Sequence, residues 1–274
     1  MLWLWIMLGL AGLLIYWMAM EAGKVKINVE ELWLARLPES FDGTRLFFIT
    51  DIHRRTIPDS LIQLSQDEGG ADLVLIGGDL TEKKVPLSRT RANMRKLVEI
   101  APVYAVYGNH DYDDDHRQLD VLLGEEGIRV LVNESVMLEQ SDGSSLRLAG
   151  VDDPITERAR VREALQDNQE AGCTILLAHD PVLASRLGNA DIDLVLSGHT
   201  HGGQIALPFL GPVLRSPTIL KYCKGWFKMP DRKSAGMPPI RLFVSNGFGT
   251  SKLPLRLMAP AQTHLFILRK GDKP

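Results

Sequence analysis

The chain has 274 residues, enough for one large domain with an appendage or for about two domains of ordinary size. Hydrophobic residues at 45% and charged residues at 24% exclude a disordered, collagenous or coiled-coil chain and predict a sizeable core. Lysine and arginine number 31 against 34 aspartate and glutamate, a net charge of −3 that gives no electrostatic reason to expect nucleic acid as a partner; two cysteines, Cys173 and Cys223, make neither a disulfide framework nor a four-thiolate zinc site.

In chain order, residues 2–20 (LWLWIMLGLAGLLIYWMAM) carry no charge. About 19 residues at about 1.5 Å rise nearly match a hydrocarbon core of about 30 Å, so the segment can span a bilayer. Trp3, Trp5, Tyr16 and Trp17 lie near its two ends, where amphipathic rings favour the headgroups. A secretory signal peptide is the competing reading. Against it, no Lys or Arg precedes the apolar run, and residues 18–23 offer no A-x-A cleavage spacing. The expectation is a retained single-pass anchor over 1–24 and one catalytic domain over 25–274. The nearby basic residues, Lys24 and Lys26, follow the helix and prefer the cytoplasmic side, so the domain is expected on the cytoplasmic face of the cell membrane.

A first strand is expected over 26–37. Short apolar runs then alternate with helical segments, which reads as α/β. The run 45–50 (RLFFIT) ends at Asp51, 71–76 (ADLVLI) at Gly77, Gly78 and Asp79, and 102–107 (PVYAVY) at Gly108, Asn109 and His110. Farther on, 174–178 (TILLA) ends at His179, and 193–197 (DLVLS) at Gly198 and His199. In an open α/β sheet the loops at the carboxyl ends of strands converge into binding sites, so these separate positions are expected to meet in space. Helices are predicted over 58–66, 86–100, 117–124, 157–169 and 182–187. Runs 130–138 and 145–150, around Ser141-Asp142-Gly143, look like a hairpin, as do 241–245 and 263–268. The sheet is therefore expected to be mixed, or doubled into two, with a frayed tail after Lys270.

Seven histidines occur, and His53, His110, His179, His199 and His201 all fall in those strand-end loops. A lone histidine beside an apolar run is usually a satisfied core or surface residue; five together with aspartates form the donor set of borderline divalent ions. No G-x-S-x-G elbow or placed thiol offers a protein nucleophile. The ordered blocks Asp51-Ile52-His53, Gly78-Asp79, Gly108-Asn109-His110-Asp111, His179 and Gly198-His199-Thr200-His201 resemble the calcineurin-like metallophosphoesterase superfamily, from about Arg45 to Leu268. GHTHGGQIALPFLGP at 198–212 and SNGFGTSKLPLR at 245–256 are similar to its membrane-anchored bacterial branch, which includes phosphodiesterases and lipid-precursor pyrophosphatases.

The resemblance implies a mixed-sheet αββα sandwich and two divalent metal ions, manganese, iron or zinc. It implies that Asp51, His53, Asp79 and His201 hold one ion and that Asp79, Asn109, His179 and His199 hold the other, with Asp79 bridging. A hydroxide between the ions would attack the phosphorus of a phosphodiester or phosphomonoester substrate. His110 would stabilise or protonate the leaving oxygen, with Asp111 a candidate to fix its tautomer. The alternatives are a lipid-linked pyrophosphatase, acting on a UDP-2,3-diacylglucosamine-type substrate, and a catalytically silent metal-binding membrane scaffold.

Other features carry weaker claims. Arg54 and Arg55 could bind a second phosphate, or be solvated loop residues. Asp113, Asp114 and Asp115 are expected to cap the helix that follows. Segments 208–214 and 221–228 mix apolar, aromatic and basic residues; Trp226 and Phe227 with Lys221, Lys224 and Lys228 could meet a membrane surface and a lipid-borne substrate, or form a partly buried lid. His264 is assigned to the last strand.

Overall fold

The computed structural model describes residues 1–166, 171–230 and 237–272. A helix α1 (Leu2–Gly23) opens the chain, followed by β1 (Ile27–Leu34), β2 (Arg45–Ile49), α2 (Asp59–Asp67), β3 (Leu73–Ile76), α3 (Leu87–Val98), β4 (Val103–Ala105) and α4 (His116–Glu125). The middle of the chain holds β5 (Arg129–Val130), β6 (Glu134–Glu139), β7 (Ser145–Gly150), α5 (Val161–Ala164), β8 (Cys173–Leu177) and β9 (Leu194–Ser197). Short elements β10 (Ala206–Leu207), β11 (Gly211–Pro212), α6 (Pro217–Lys221) and β12 (Gly225–Lys228) lead to β13 (Arg241–Val244) and β14 (Thr263–Lys270).

Twelve of these strands form two six-stranded sheets, in the orders β1-β14-β2-β3-β4-β5 and β12-β13-β9-β8-β7-β6. Within the first, β2, β3, β4 and β5 are parallel and β14 is antiparallel to β2; in the second, β7, β8, β9 and β13 are parallel and β6 and β12 close the edges antiparallel. Period-2 alternation explains why the strand runs are apolar throughout. Leu46 and Phe48 of β2 enter the core between the sheets, with Leu194 and Leu196 of β9 and Phe266 of β14. Phe47 and Ile49 face the other way, into the layer built with Leu61, Met94, Leu97 and Leu122 from α2, α3 and α4. Val195 of β9 faces a third cluster, with Leu183 and Ile192, on the outer face of the second sheet. Strands covered on both faces carry no polar alternation, and each fully buried side chain of this size contributes about 1.5–3 kcal/mol. The result is the αββα sandwich that the resemblance implies.

Three expectations are corrected. Residues 241–245 and 263–268 do not form a hairpin: β13 lies in the second sheet and β14 in the first. The run 130–138 is broken, because Asn133 takes a positive φ of 58° and the chain crosses from β5 in one sheet to β6 in the other; the hairpin with β7 starts at Glu134. The helix over 157–169 shrinks to the single turn of α5, residues 167–169 lying outside the described part. Of the tail, 273–274 lie outside it too.

α1 is the one helix among the described residues long and apolar enough to cross a membrane. Most of it is exposed, but its last turn docks on the sandwich. Arg256 N donates to Met18 O (3.0 Å) and Met258 N to the buried Glu21 Oε2 (3.0 Å).

Candidate metal centre

The carboxyl ends of β2, β3, β8 and β9 and the turn after β4 are stitched into one floor. Asp51 N donates to Gly78 O (3.0 Å), while Ile52 N and His53 N share Asp79 O (2.8 and 3.1 Å). Gly198 N donates to His179 O (3.0 Å) and Gly249 N to Asp51 O (2.7 Å). Such bonds hold five site residues in the left-handed region: Asp51 (φ 56°), His53 (51°), Asp79 (52°), His199 (69°) and His201 (51°). That conformation costs a residue with a Cβ about 1–3 kcal/mol and clusters where function over-determines the backbone. Two glycines permit the approach. A Cβ at Gly198 would overlap Thr50 Oγ1 and Asp51 Oδ2, and one at Gly108 would overlap Asp79 Oδ1.

Hydrogen bonds within the protein orient the carboxylates and imidazoles. Asp51 Oδ1 accepts from His199 N (3.0 Å) and Asp51 Oδ2 from Thr50 Oγ1 (3.0 Å). Asp79 Oδ1 accepts from His110 N (2.9 Å). His179 Nδ1 donates to Gly77 O (2.8 Å), which fixes the tautomer and leaves Nε2, a lone pair, 3.1 Å from Asp79 Oδ2. His201 Nε2 lies 3.1 Å from His53 Nε2 and 3.4 Å from Asp51 Oδ1, and His53 Nε2 is 3.6 Å from Asp79 Oδ2. Two ligands bonded to one cation at about 2.1 Å stand roughly 3.0–3.4 Å apart, close to these separations. The groups resolve into two interlocked triads that could hold metal, Asp51–His53–His201 and Asp51–Asp79–His179. His199 packs edge-on to His179, 5.2 Å between ring centroids.

The donor chemistry fits a cation as well. Asn109 Oδ1, His179 Nε2 and His53 Nδ1 are buried at the strand ends without a hydrogen-bond partner, as groups that await a ligand would be. Burial opposes charge on His179, but Asp79 outweighs it and raises the imidazole well above its usual value. Burial likewise opposes charge on Asp79, and His179 and His53 pull it far below the carboxylate range. Burial, with His53 and Arg256 adjacent, holds His201 well below the usual imidazole value, and burial beside His179 lowers His199, so both keep lone pairs for a metal.

The structure therefore brings together Asp51, His53, Asp79, Asn109, His110, His179, His199 and His201. It separates others. Arg55 has structural partners: its guanidinium donates to Phe248 O (2.5 Å), Gly23 O (2.7 Å) and Lys24 O (2.8 Å) and stacks 3.8 Å over the Phe248 ring. Burial lowers its pKa to about 10. It ties the end of α1 to the site loop. Arg54 pairs through Nε with Glu82, at the edge of the cluster. Asp111 does not fix the His110 tautomer, since its carboxylate accepts from Gly108 N (2.8 Å) and Thr81 N (3.1 Å), and burial beside Asp79 raises it to about 7. Asp113 takes that role, its Oδ2 accepting from His110 Nδ1 (2.6 Å). Of the acidic run only Asp115 caps α4, accepting from Arg117 N (3.1 Å). Trp226 turns inward against Phe243 and bonds Glu30, so it is not a free membrane wedge.

Sequence reading missed Glu82, Asp113 and Arg256. Glu82 Oε2 approaches His53 Nδ1 to 3.2 Å, off the line of a formed hydrogen bond. The fully buried Arg256 donates to the carbonyls of His201 (3.2 Å), Asn246 (2.7 Å) and Ala259 (2.8 Å), bracing the histidine loop against the chain that docks α1. Glu82 and Arg256 have no local signal, because His53 and His201, the site residues they meet, are distant in sequence.

A two-sheet sandwich with clustered aspartates and histidines on its strand ends is the layout of a metal-dependent hydrolase. The family model for calcineurin-like phosphoesterase matches residues 44–203, more than half of the chain, and the chain belongs to that family. The protein YpbG of Bacillus subtilis is 36% identical over 81% of this chain and 80% of its own, and the metallophosphoesterase YkuE of the same organism is 29% identical over 86% and 82%. A Danio rerio protein described as a transmembrane protein with metallophosphoesterase domain is 31% identical over 95% of this chain and 61% of its own length.

Metal binding to a strained, preformed cluster stabilises only the folded state. At a hundredfold excess over Kd this amounts to about 2.7 kcal/mol, and at roughly 2–4 °C per kcal/mol for a domain of this size the melting temperature should rise by about 5–10 °C. Thermal melts of chelator-stripped protein before and after adding Mn²⁺ or Zn²⁺ measure it; coincident melts with both metals would contradict a metal site here.

Proposed function

We propose that the chain is a membrane-anchored phosphoesterase with two divalent ions, residues 1–24 forming the anchor and 25–274 the catalytic domain, hydrolysing phosphodiester or phosphomonoester bonds. The observation that carries this reading is the convergence of strand ends from both sheets on two interlocked Asp–His triads with unpartnered lone pairs. Asp51, His53, Asp79 and His201 would hold one ion, and Asp79, Asn109, His179 and His199 the other; Asp51 is common to both triads, so it can share the bridging assigned to Asp79. Manganese, iron or zinc suits these nitrogen and oxygen donors, and a bound pair would acidify water and neutralise charge on the phosphoryl group.

The remaining steps belong to side chains. His110, one-third exposed, has Nδ1–H committed to Asp113, which leaves Nε2 to hydrogen-bond or protonate the leaving oxygen. Its ring stands 5.2 Å from that of His53, close to the triads yet outside both. Arg54, at the edge of the cluster, is the remaining candidate for a second phosphate of the substrate. The apolar α1 and the transmembrane description of the Danio rerio relative support the membrane assignment, and Lys24 and Lys26 favour a cytoplasmic domain.

Assay of the full-length chain in detergent with mono- and bis-aryl phosphates tests the reading. Hydrolysis should vanish with chelator and return with Mn²⁺, Fe²⁺ or Zn²⁺. Inactivity on both esters with all three metals would leave the silent scaffold as the better account.

A further inference from the structure

Beside the metal centre the chain exposes apolar side chains that nothing in the sandwich covers. The hairpin of β10 and β11 carries Phe209, fully exposed, and Leu210 at its tip, and Val213 and Leu214 follow it; Leu253 and Met258 are exposed on the neighbouring segment. Phe209 sits at φ 64°, a conformation that disfavours a bulky side chain, with no burial in the protein to offset it.

The hairpin's attachments decide what it faces. Its base rests on the loop that carries His201, since a Cβ at Gly203 would stand 2.7 Å from Pro212. Ala206 N donates to Leu257 O (2.9 Å) and Leu257 N to Gln204 O (2.9 Å). The next residue, Met258, bonds Glu21 in the last turn of α1, and Arg256 N bonds Met18 O there. The exit of the anchor, the apolar hairpin and the histidine loop are thus one continuous piece of bonded backbone. Its charge is one-sided. Residues 203–230 hold Arg215, Lys221, Lys224 and Lys228 and no acidic residue, and 245–262 hold Lys252 and Arg256 and no acidic residue, in a chain of net charge −3.

We propose that this hairpin is a second membrane contact: Phe209 and Leu210 enter the boundary between headgroups and acyl chains, with the neighbouring lysines and arginine against anionic headgroups. The histidine loop is thereby held at the lipid surface, and the substrates it favours are phosphate esters whose alkyl chains stay in the bilayer. This rests on the anchored-phosphoesterase reading. Continuity with the anchor selects the bilayer over a protein partner as the occupant, because the segment bonded to the base of the hairpin is itself bonded to the last turn of the anchor helix, which keeps the hairpin near the membrane.

The test uses the full chain, carrying Cys223→Ser, in phosphatidylglycerol–phosphatidylcholine vesicles, whose flotation reports the anchor by itself. A bimane label on Phe209→Cys should be quenched several-fold more by doxyl lipid than one on Ser141→Cys, in the turn between β6 and β7 at the opposite end of the second sheet. A Phe209→Asp/Leu210→Asp variant should keep its rate on a soluble bis-aryl phosphate and lose about tenfold or more on a vesicle-borne phosphate ester, the size expected when apolar membrane contact is removed. Equal quenching at the two labels, or an undiminished vesicle rate in the variant, overturns the docking. Absence of hydrolysis of the soluble ester by the unsubstituted chain would instead overturn the function, with the quenching still measurable.

Discussion

Asp79→Asn is expected to strip the protein of bound metal and lower kcat/KM by about 10³-fold or more, several kcal/mol of lost charge stabilisation. Asparagine keeps an oxygen for the His110 N–H, which Asp79 Oδ1 accepts at 2.9 Å, so the turn after β4 should hold its shape. What disappears is the negative charge facing both His179 (3.1 Å) and His53 (3.6 Å). Metal analysis of the purified variant, beside melts with and without Mn²⁺, reads the effect without relying on turnover. The rise in melting temperature on metal addition should collapse. Two equivalents of metal retained in the variant would show that Asp51, common to both triads, carries the pair without Asp79.

His110→Ala should behave oppositely, with metal content and metal-dependent melting unchanged and kcat lowered by about 10²–10⁴-fold, the range for a lost general acid. The leaving group discriminates between roles. An aryl leaving group with a low pKa needs little protonation, so a pure acid role predicts a large loss on alkyl esters and a small one on nitrophenyl esters. A role in binding the phosphoryl group predicts equal losses on both. Asp113→Asn, which removes the carboxylate accepting from His110 Nδ1, should reproduce part of the same pattern. Asp111→Asn should not, because that carboxylate serves the Gly108 and Thr81 amides; loss of the alkyl-ester selectivity there would contradict the pairing of His110 with Asp113.

The eight residues gathered in the centre were legible because they stand within a few residues of the end of an apolar run, where a strand covered on both faces gives way to a turn. Asp51 after RLFFI and His179 after CTILL are marked in this way. Asp113 and Glu82 were not. Glu82 meets His53 from a turn 29 residues along the chain, and Asp113 reaches His110 only because residues 109–112 coil into a tight 3-10 turn, which the polar run by itself did not announce. Arg55 was equally hidden: beside a ligand in sequence it reads as a phosphate contact, and its bonds to the carbonyls of Gly23, Lys24 and Phe248 come from distant chain.

The sequence by itself determined the α/β class, the apolar segment able to cross a bilayer, the strand ends at which ligand-type residues stand and the order in which they come, because periodicity, hydrophobic length and residue chemistry are local properties. Tertiary structure alone decided that β13 and β14 belong to different sheets, that the run around Asn133 divides between them, and that the last turn of α1 is bonded through residues 256–258 to the loop carrying His201. Those choices depend on which distant surfaces bury each other and which backbone amides find partners, and no window of neighbouring residues contains that information.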